Sequence, residues 1–198
     1  GNTLWNNDTL RSGNGELVIQ YADGNLVRNN LFWANAQNRA ISVTSGGLSN
    51  ALDYNLWFTD GATNALLFVV GGNNFSGLTA YRSGAGQDAH SLCLPPLLAN
   101  PTNADFHLAT TSPARDAGDP AFVPAPGETD LDGQPRRFGG RVDIGADEVP
   151  NAPTLQLPAR PANGSVTVRV LERSPFGPPC VTMGASSSVT SVNATPNR

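Results

Sequence analysis

The chain has 198 residues, a net charge of −4 and only 14% charged residues, where ordinary globular domains carry roughly 25%. All twelve cations are arginine, so lysine-base and Schiff-base chemistry are excluded, and the mild acidic balance gives nucleic acid or an acidic membrane no patch to hold. With 39% hydrophobic residues, 21 glycines, 16 prolines and no long apolar run, the sequence is that of a turn-rich all-β protein without a membrane span.

Residues 1–74 carry a repeat. Asn2-Thr3-Leu4, Asn30-Leu31-Phe32 and Asn55-Leu56-Trp57 share the pattern Asn-x-apolar and start 28 and then 25 residues apart. Leu17 and Ile19, Ile41 and Val43, and Leu66 and Phe68 form alternating apolar pairs at steps of 24 and 25 residues. Two strand signals with a common period predict stacked coils, a β-solenoid. Side chains alternate inward and outward along each strand of such a stack. Val27 is then expected inside beside Leu52, Arg28 outside beside Asp53, Phe32 beside Trp57 and Ile41 beside Leu66. Asn2, Asn30 and Asn55 are expected to form an amide ladder from coil to coil. Gly-rich breaks such as Asp23-Gly24, Ser45-Gly46-Gly47 and Gly71-Gly72 supply the corners, and the absence of a long 3.6-residue period argues against helices. The chain opens inside a repeat, and a stack needs a cap over its first coil, so the sequence reads as the C-terminal piece of a longer protein.

Residues 75–149 read as a final coil and closing segment. Pro95-Pro96 and Pro101 force an extended path, Asp105-Phe106-His107-Leu108 predicts a short strand, and Ser112-Pro113 through Gly118 predicts a helical turn with Ser112 as its cap. Residues 150–198 read as a Pro-rich linker, a strand over Ser165–Leu171 and a partly disordered tail or the stub of a further module. Cys93 and Cys180 lie far apart in segments of different character; a disulfide between them is possible, and the spacing alone favours a pair of free thiols.

Three motifs carry a resemblance. Ser112-Pro-Ala-Arg-Asp-Ala-Gly118, Asp130-Leu-Asp-Gly-Gln-Pro-Arg136 and Asp143-Ile-Gly-Ala-Asp-Glu148 resemble the pattern SPAxDxG, DxDGxxR, DIGAxE that closes secreted bacterial right-handed parallel β-helix proteins of the pectate-lyase-like group. One position departs from it: Asp147 stands where that group usually has an aromatic. The resemblance implies a right-handed parallel β-helix over residues 1–149, a bacterial secreted or cell-surface location, and a polysaccharide partner, such as a uronic-acid glycan. It implies a carbohydrate-interacting scaffold as the leading function. A polysaccharide lyase or hydrolase with its active site mostly upstream is the first alternative, and an adhesin or structural surface protein the second. A monomer is expected.

Candidate residues follow from these two lines. Lyases of that group use a basic side chain to take the C5 proton; lysine is absent, which leaves Arg28, with Asp53 as its neighbour, as the catalytic candidates. An arginine is a poor base without special help, and the plainer role of this pair is a surface ion pair. Trp5 and Trp33 sit one position after the core residues Leu4 and Phe32 and are expected to face outward, where they would stack on sugar rings. Glu128, Asp130 and Asp132 cluster around Gly133 as a fragment of a calcium loop, a DxDG sequence that also serves as an ordinary Asx turn. His90 beside Asp88 offers an acid–base pair that His107 would join, although structural histidines are commoner in such segments.

Overall fold

The computed structural model describes residues 1–8, 13–34, 38–44, 49–61 and 65–150. They belong to one compact unit, Gly1–Ala152. The expected linker, the Ser165–Leu171 strand and Cys180 lie outside the described residues.

The repeat builds eight short strands: β1 (Thr3–Trp5), β2 (Leu17–Ile19), β3 (Leu26–Arg28), β4 (Leu31–Ala34), β5 (Arg39–Val43), β6 (Ala51–Asp53), β7 (Leu56–Thr59) and β8 (Leu67–Val70). They pair in parallel as β1-β4-β7, β2-β5-β8 and β3-β6. Phe32 pairs with Trp57 and Val27 with Leu52, as the period predicts. Ile41 does not meet Leu66. The step from β5 to β8 is longer than the 25 residues of the repeat, so that Ile41 lies beside Phe68 and Val43 beside Val70, with a bulge between Arg39 and Ile41.

The predicted solenoid requires correction. The described residues form four separate small sheets of two to four strands, parallel and mixed, with no closed or solenoid sheet. Gly71 and Gly72 both adopt left-handed backbone angles, which is the geometry of a tight hairpin turn. The chain therefore reverses after β8 into the antiparallel strand β9 (Asn73–Ser76) instead of continuing the winding. A helix follows, α1 (Leu78–Ala85), against the expectation from the missing 3.6-residue period. It is only two turns long, too short for a periodic signal. Leu78 and Tyr81, one turn apart, bury its inner face, and left-handed Gly86 ends it. Beyond it the chain runs in turns, broken by one antiparallel hairpin of β10 (Leu98–Asn100) and β11 (Asp105–Leu108). Among the described residues the result is a mainly β unit of several small sheets with one α-helix, not a right-handed parallel β-helix.

Two apolar clusters lie on opposite faces of the β1-β4-β7 sheet. Inside, Phe32 stacks on Trp57 at 4.1 Å, Trp57 meets Phe68 edge-on at 5.3 Å, and Phe68 stacks on Tyr81 at 4.5 Å. Outside, Leu31 and Leu56 are covered by Leu108, Ala114, Ile144 and Val149 of the closing segment. Between the clusters runs the predicted amide ladder. The Asn2 backbone and side-chain N–H groups donate to Asn30 Oδ1 at 3.0 Å, and those of Asn30 donate to Asn55 Oδ1 at 3.1 and 3.2 Å. Asn55 Nδ2 donates to Val27 O and Asp88 Oδ1, and its backbone N–H donates to Ser91 Oγ at 2.7 Å.

The three closing motifs meet around a buried ion pair, Arg136 with Glu148. Arg136 Nη2 also donates to the carbonyls of Asp143 (3.1 Å) and Gly145 (2.7 Å), while Asp143 accepts the backbone N–H groups of Asp116 and Val149. Gly118 is required here because a Cβ would lie 2.5 Å from Val142 Cγ2. Ser112 caps its turn as expected, its hydroxyl accepting the Ala114 N–H at 3.1 Å.

Replacing Asn55 by alanine strands partners on both neighbouring segments, each at about 1–3 kcal/mol. Asn55→Ala should therefore lower the urea midpoint by an amount equivalent to at least about 3 kcal/mol at unchanged m-value. A pH effect follows from the ion pair. Burial pushes the Glu148 carboxyl up to about 7 from 4.5, and the charge of Asp143 adds to this against the opposing Arg136. The unfolded chain releases this proton first, so stability should fall as pH rises from 4.5 to 7 and then level off in this respect. Thermal melts across that window should show the slope in the parent and a flatter profile in Glu148→Gln.

Candidate functional site

The outward positions of the three-stranded sheet stack in register: Trp5 beside Trp33, and Trp33 beside Phe58. All three are partly exposed, as was expected of Trp5 and Trp33. Neighbouring strands lie about 4.8 Å apart, so the three aromatics occupy one row across the sheet. Phe58 meets Trp33 edge-on at 4.8 Å, and Phe106 tilts against Trp5 at 6.1 Å. The Trp33 indole N–H donates to Asp60 Oδ2 at 3.2 Å on the solvent side. Both flanks of the strip are thus held, while part of each ring stays open.

Arg28 and Asp53 are register partners, but the expected ion pair between them is replaced by two others. Arg28 pairs with Asp119 at 2.6 Å and lies over the Phe122 ring at 5.2 Å. Asp53 accepts the His90 ring Nδ1 and backbone N–H, each at 2.7 Å. The reason is the closing segment, which brings a carboxylate to one residue and an imidazole to the other. Partial burial would raise the Asp53 carboxyl, but the bonds from His90 and Tyr54 hold it below the usual carboxylate range. An arginine already ion-paired and an acidified aspartate make a weak pair for proton abstraction. Arg28 does border an open cavity of about 660 Å³, lined by Asn2, Leu4, Val27, Phe32 and Phe122.

His90 and Asp88 are not an acid–base pair. Asp88 is buried beneath the amide ladder, bonded to Asn55 and Ser91, and burial raises its pKa. The Trp57 indole N–H faces it closely enough to oppose that shift without completing a hydrogen bond. His90 is exposed, with Tyr54 stacked on its ring at 4.7 Å.

The acidic loop is divided. Glu128 Oε2 accepts the Ala125 N–H at 2.8 Å. Asp130 Oδ1 accepts the N–H groups of Asp132 (3.0 Å) and Gln134 (2.8 Å), which is the Asx turn. The expected trio of Glu128, Asp130 and Asp132 is therefore not the set of converging donors. Asp132 instead reaches across to His107, whose Nε2 is 3.1 Å from both of its carboxylate oxygens. Strand β11 sets this up: Asp105 and His107 share one face, with Nδ1 2.6 Å from Asp105 Oδ1, while Phe106 and Leu108 turn to Trp5 and the outer core. Asp147 completes the group, its Oδ2 accepting the Leu108 N–H at 2.7 Å. Donor atoms of His107, Asp132 and Asp147 all lie within 4.8 Å of one another. Hydrogen bonding to Asp132, then to Asp105, pushes His107 up to about 9. Sequence reasoning placed His107 with His90 and missed both Asp105 and Asp147. The available signal was the acid at 147 in a position where the motif resemblance leads one to expect an aromatic.

The chain matches no family model, no curated protein and no solved structure. Among the described residues no helix is long and apolar enough to cross a membrane.

In chelator-treated protein the His107 ring resonances should titrate near pH 9 by NMR, and Asp132→Asn should bring that midpoint back toward 6.5. The linked stabilisation is fully present below pH 6.5 and is lost as pH rises through 9.

Proposed function

We propose that this protein interacts with carbohydrate outside the cell or at the bacterial cell surface, and that the strip of Trp5, Trp33 and Phe58 is the surface that stacks on sugar rings. The single observation behind this is the registered, partly exposed aromatic strip on three adjacent strands. Rings fixed before binding lose little conformational freedom when a sugar docks, which favours a binding role for them. The resemblance of the closing motifs to those of secreted pectate-lyase-like proteins supports the same reading, as does a surface poor in charge. Binding is favoured over lysis because Arg28 is committed to Asp119.

Titration of the purified chain against polygalacturonate, alginate and a neutral glycan tests this. Saturable binding to at least one is expected, weakened at least about tenfold, or about 1.4 kcal/mol, by Trp5→Ala. Tyr21→Ala, which removes a highly exposed aromatic outside the strip, should leave the affinity unchanged. Absence of binding to all three glycans, or equal loss from both variants, rejects the proposal.

A further inference from the structure

The group around His107 carries more negative charge than its surroundings neutralise. Asp105, Asp132 and Asp147 surround one imidazole, and the charge of Asp130 is felt at Asp147 as well. Asp130 is 7% exposed, and its Oδ2 is buried with no hydrogen-bond partner. Asp147 is 4% exposed, with Oδ2 held by the Leu108 N–H. A buried carboxylate oxygen without a donor is costly, and a bound water or a cation relieves it.

We propose that His107 Nε2, Asp132 and Asp147 bind a divalent transition-metal ion of the zinc class, with Asp130 supplying further buried negative charge. Three features carry this. The donors are close to the required spacing: with metal–ligand bonds of about 2.0–2.2 Å, ligand atoms around one ion sit about 3–4 Å apart. Donor separations within 4.8 Å need only a small inward movement of exposed Asp132. The outer partners are also in place. Asp105 accepts from Nδ1 of His107, which directs Nε2 at the ion, and the Leu108 N–H orients Asp147. The Asx turn on Asp130 Oδ1 fixes the backbone of Asp132.

Donor chemistry selects the ion. Calcium and magnesium favour all-oxygen shells, six to eight oxygens in the case of calcium. One imidazole nitrogen with carboxylate oxygens suits zinc, or manganese more weakly. This replaces the calcium loop of Glu128, Asp130 and Asp132 with a different set of donors from two segments. Binding would tie β11 to the two acidic closing motifs, since the three ligands come from residues 107, 132 and 147.

The test is calorimetric titration of the full, tag-free, chelator-stripped chain with Zn²⁺, Mn²⁺, Ca²⁺ and Mg²⁺, alongside circular dichroism of every variant. One Zn²⁺ per chain is expected, bound at least about a hundredfold more tightly than Ca²⁺. His107→Gln and Asp132→Asn should abolish binding, and Asp105→Asn, at the residue that holds the far nitrogen of His107 and does not touch the ion, should weaken it by about 10–100-fold. Asp23→Asn, a surface carboxylate bonded to Ser49, should change nothing. Co²⁺ loaded into the parent should give a visible absorption band that Asp132→Asn lacks. The proposal is overturned if the parent binds no Zn²⁺, or if Ca²⁺ binds as tightly. It is equally overturned if folded His107→Gln and Asp132→Asn retain parental affinity, which would place the ion on Cys93, Cys180 or His90.

Discussion

Asn55 has no solvent exposure, and its polar groups all bond to other parts of the chain. Its carbonyl oxygen accepts from Asn30, its amide nitrogen donates to Val27 O and Asp88, and its backbone N–H donates to Ser91. The first two contacts hold neighbouring strands in register. The others bind the segment that follows α1. A residue of any other type would leave donors or acceptors stranded on both sides of the sheet, since only an amide offers both at this geometry. The left-handed corners at Asn29 and Tyr54, one before each ladder residue, exist to deliver these side chains inward. Tyrosine is strained in that conformation, and the Asp53 carboxylate accepting the Tyr54 N–H at 2.9 Å helps to hold it.

With the register set, the outer face of β1-β4-β7 becomes the seat of the closing segment. Leu31 and Leu56 have no exposure only because Ile144, Leu108 and Val149 lie over them. The closing segment has almost no strand to hold it, so its shape rests on side chains. Arg136 performs most of this task, bridging Glu148 and two backbone carbonyls from a fully buried position. Such a pair adds little net stability compared with an apolar filling, but it imposes one geometry on three turns that would otherwise have many.

Local pairing was legible in the sequence, and global form was not. The period of the Asn-x-apolar segments predicts the Phe32–Trp57 and Val27–Leu52 neighbours, because a side-chain alternation of two leaves few registers that bury both rows. The longer step between β5 and β8 escapes such reasoning, since a shift of two residues keeps the same side-chain parity and buries the same rows while moving Ile41 from Leu66 to Phe68. The reversal after β8 escapes it too. Gly71-Gly72 reads in the sequence as one more corner, but two consecutive left-handed residues make a hairpin and end the winding. The outward placement of Trp5 and Trp33 follows from alternation alone. The pairings of Arg28 with Asp119 and of Asp132 with His107 do not, because they join residues 91 and 25 positions apart through a segment without period.

The fate of the buried acids separates structural residues from the candidate metal site. Glu148 has an arginine, Asp143 has two backbone donors, and Asp88 has an amide and a hydroxyl. Glu148 and Asp143 are answered by the chain itself, Asp88 keeps Oδ2 without a hydrogen-bond partner, and all three lie away from the surface. Asp130 and Asp147 differ in lying next to an exposed carboxylate, Asp132, and a half-exposed imidazole. Their charges raise one another's cost, and among the described residues the side chain hydrogen-bonded there is the imidazole of His107. A proton on Nε2 can interact strongly with Asp132, but it cannot serve three carboxylates at once. A doubly charged ion at the same nitrogen can, and it would leave Nδ1 donating to Asp105 as before. The excess of acids at this one point is therefore better matched by a divalent ion than by a single proton on His107.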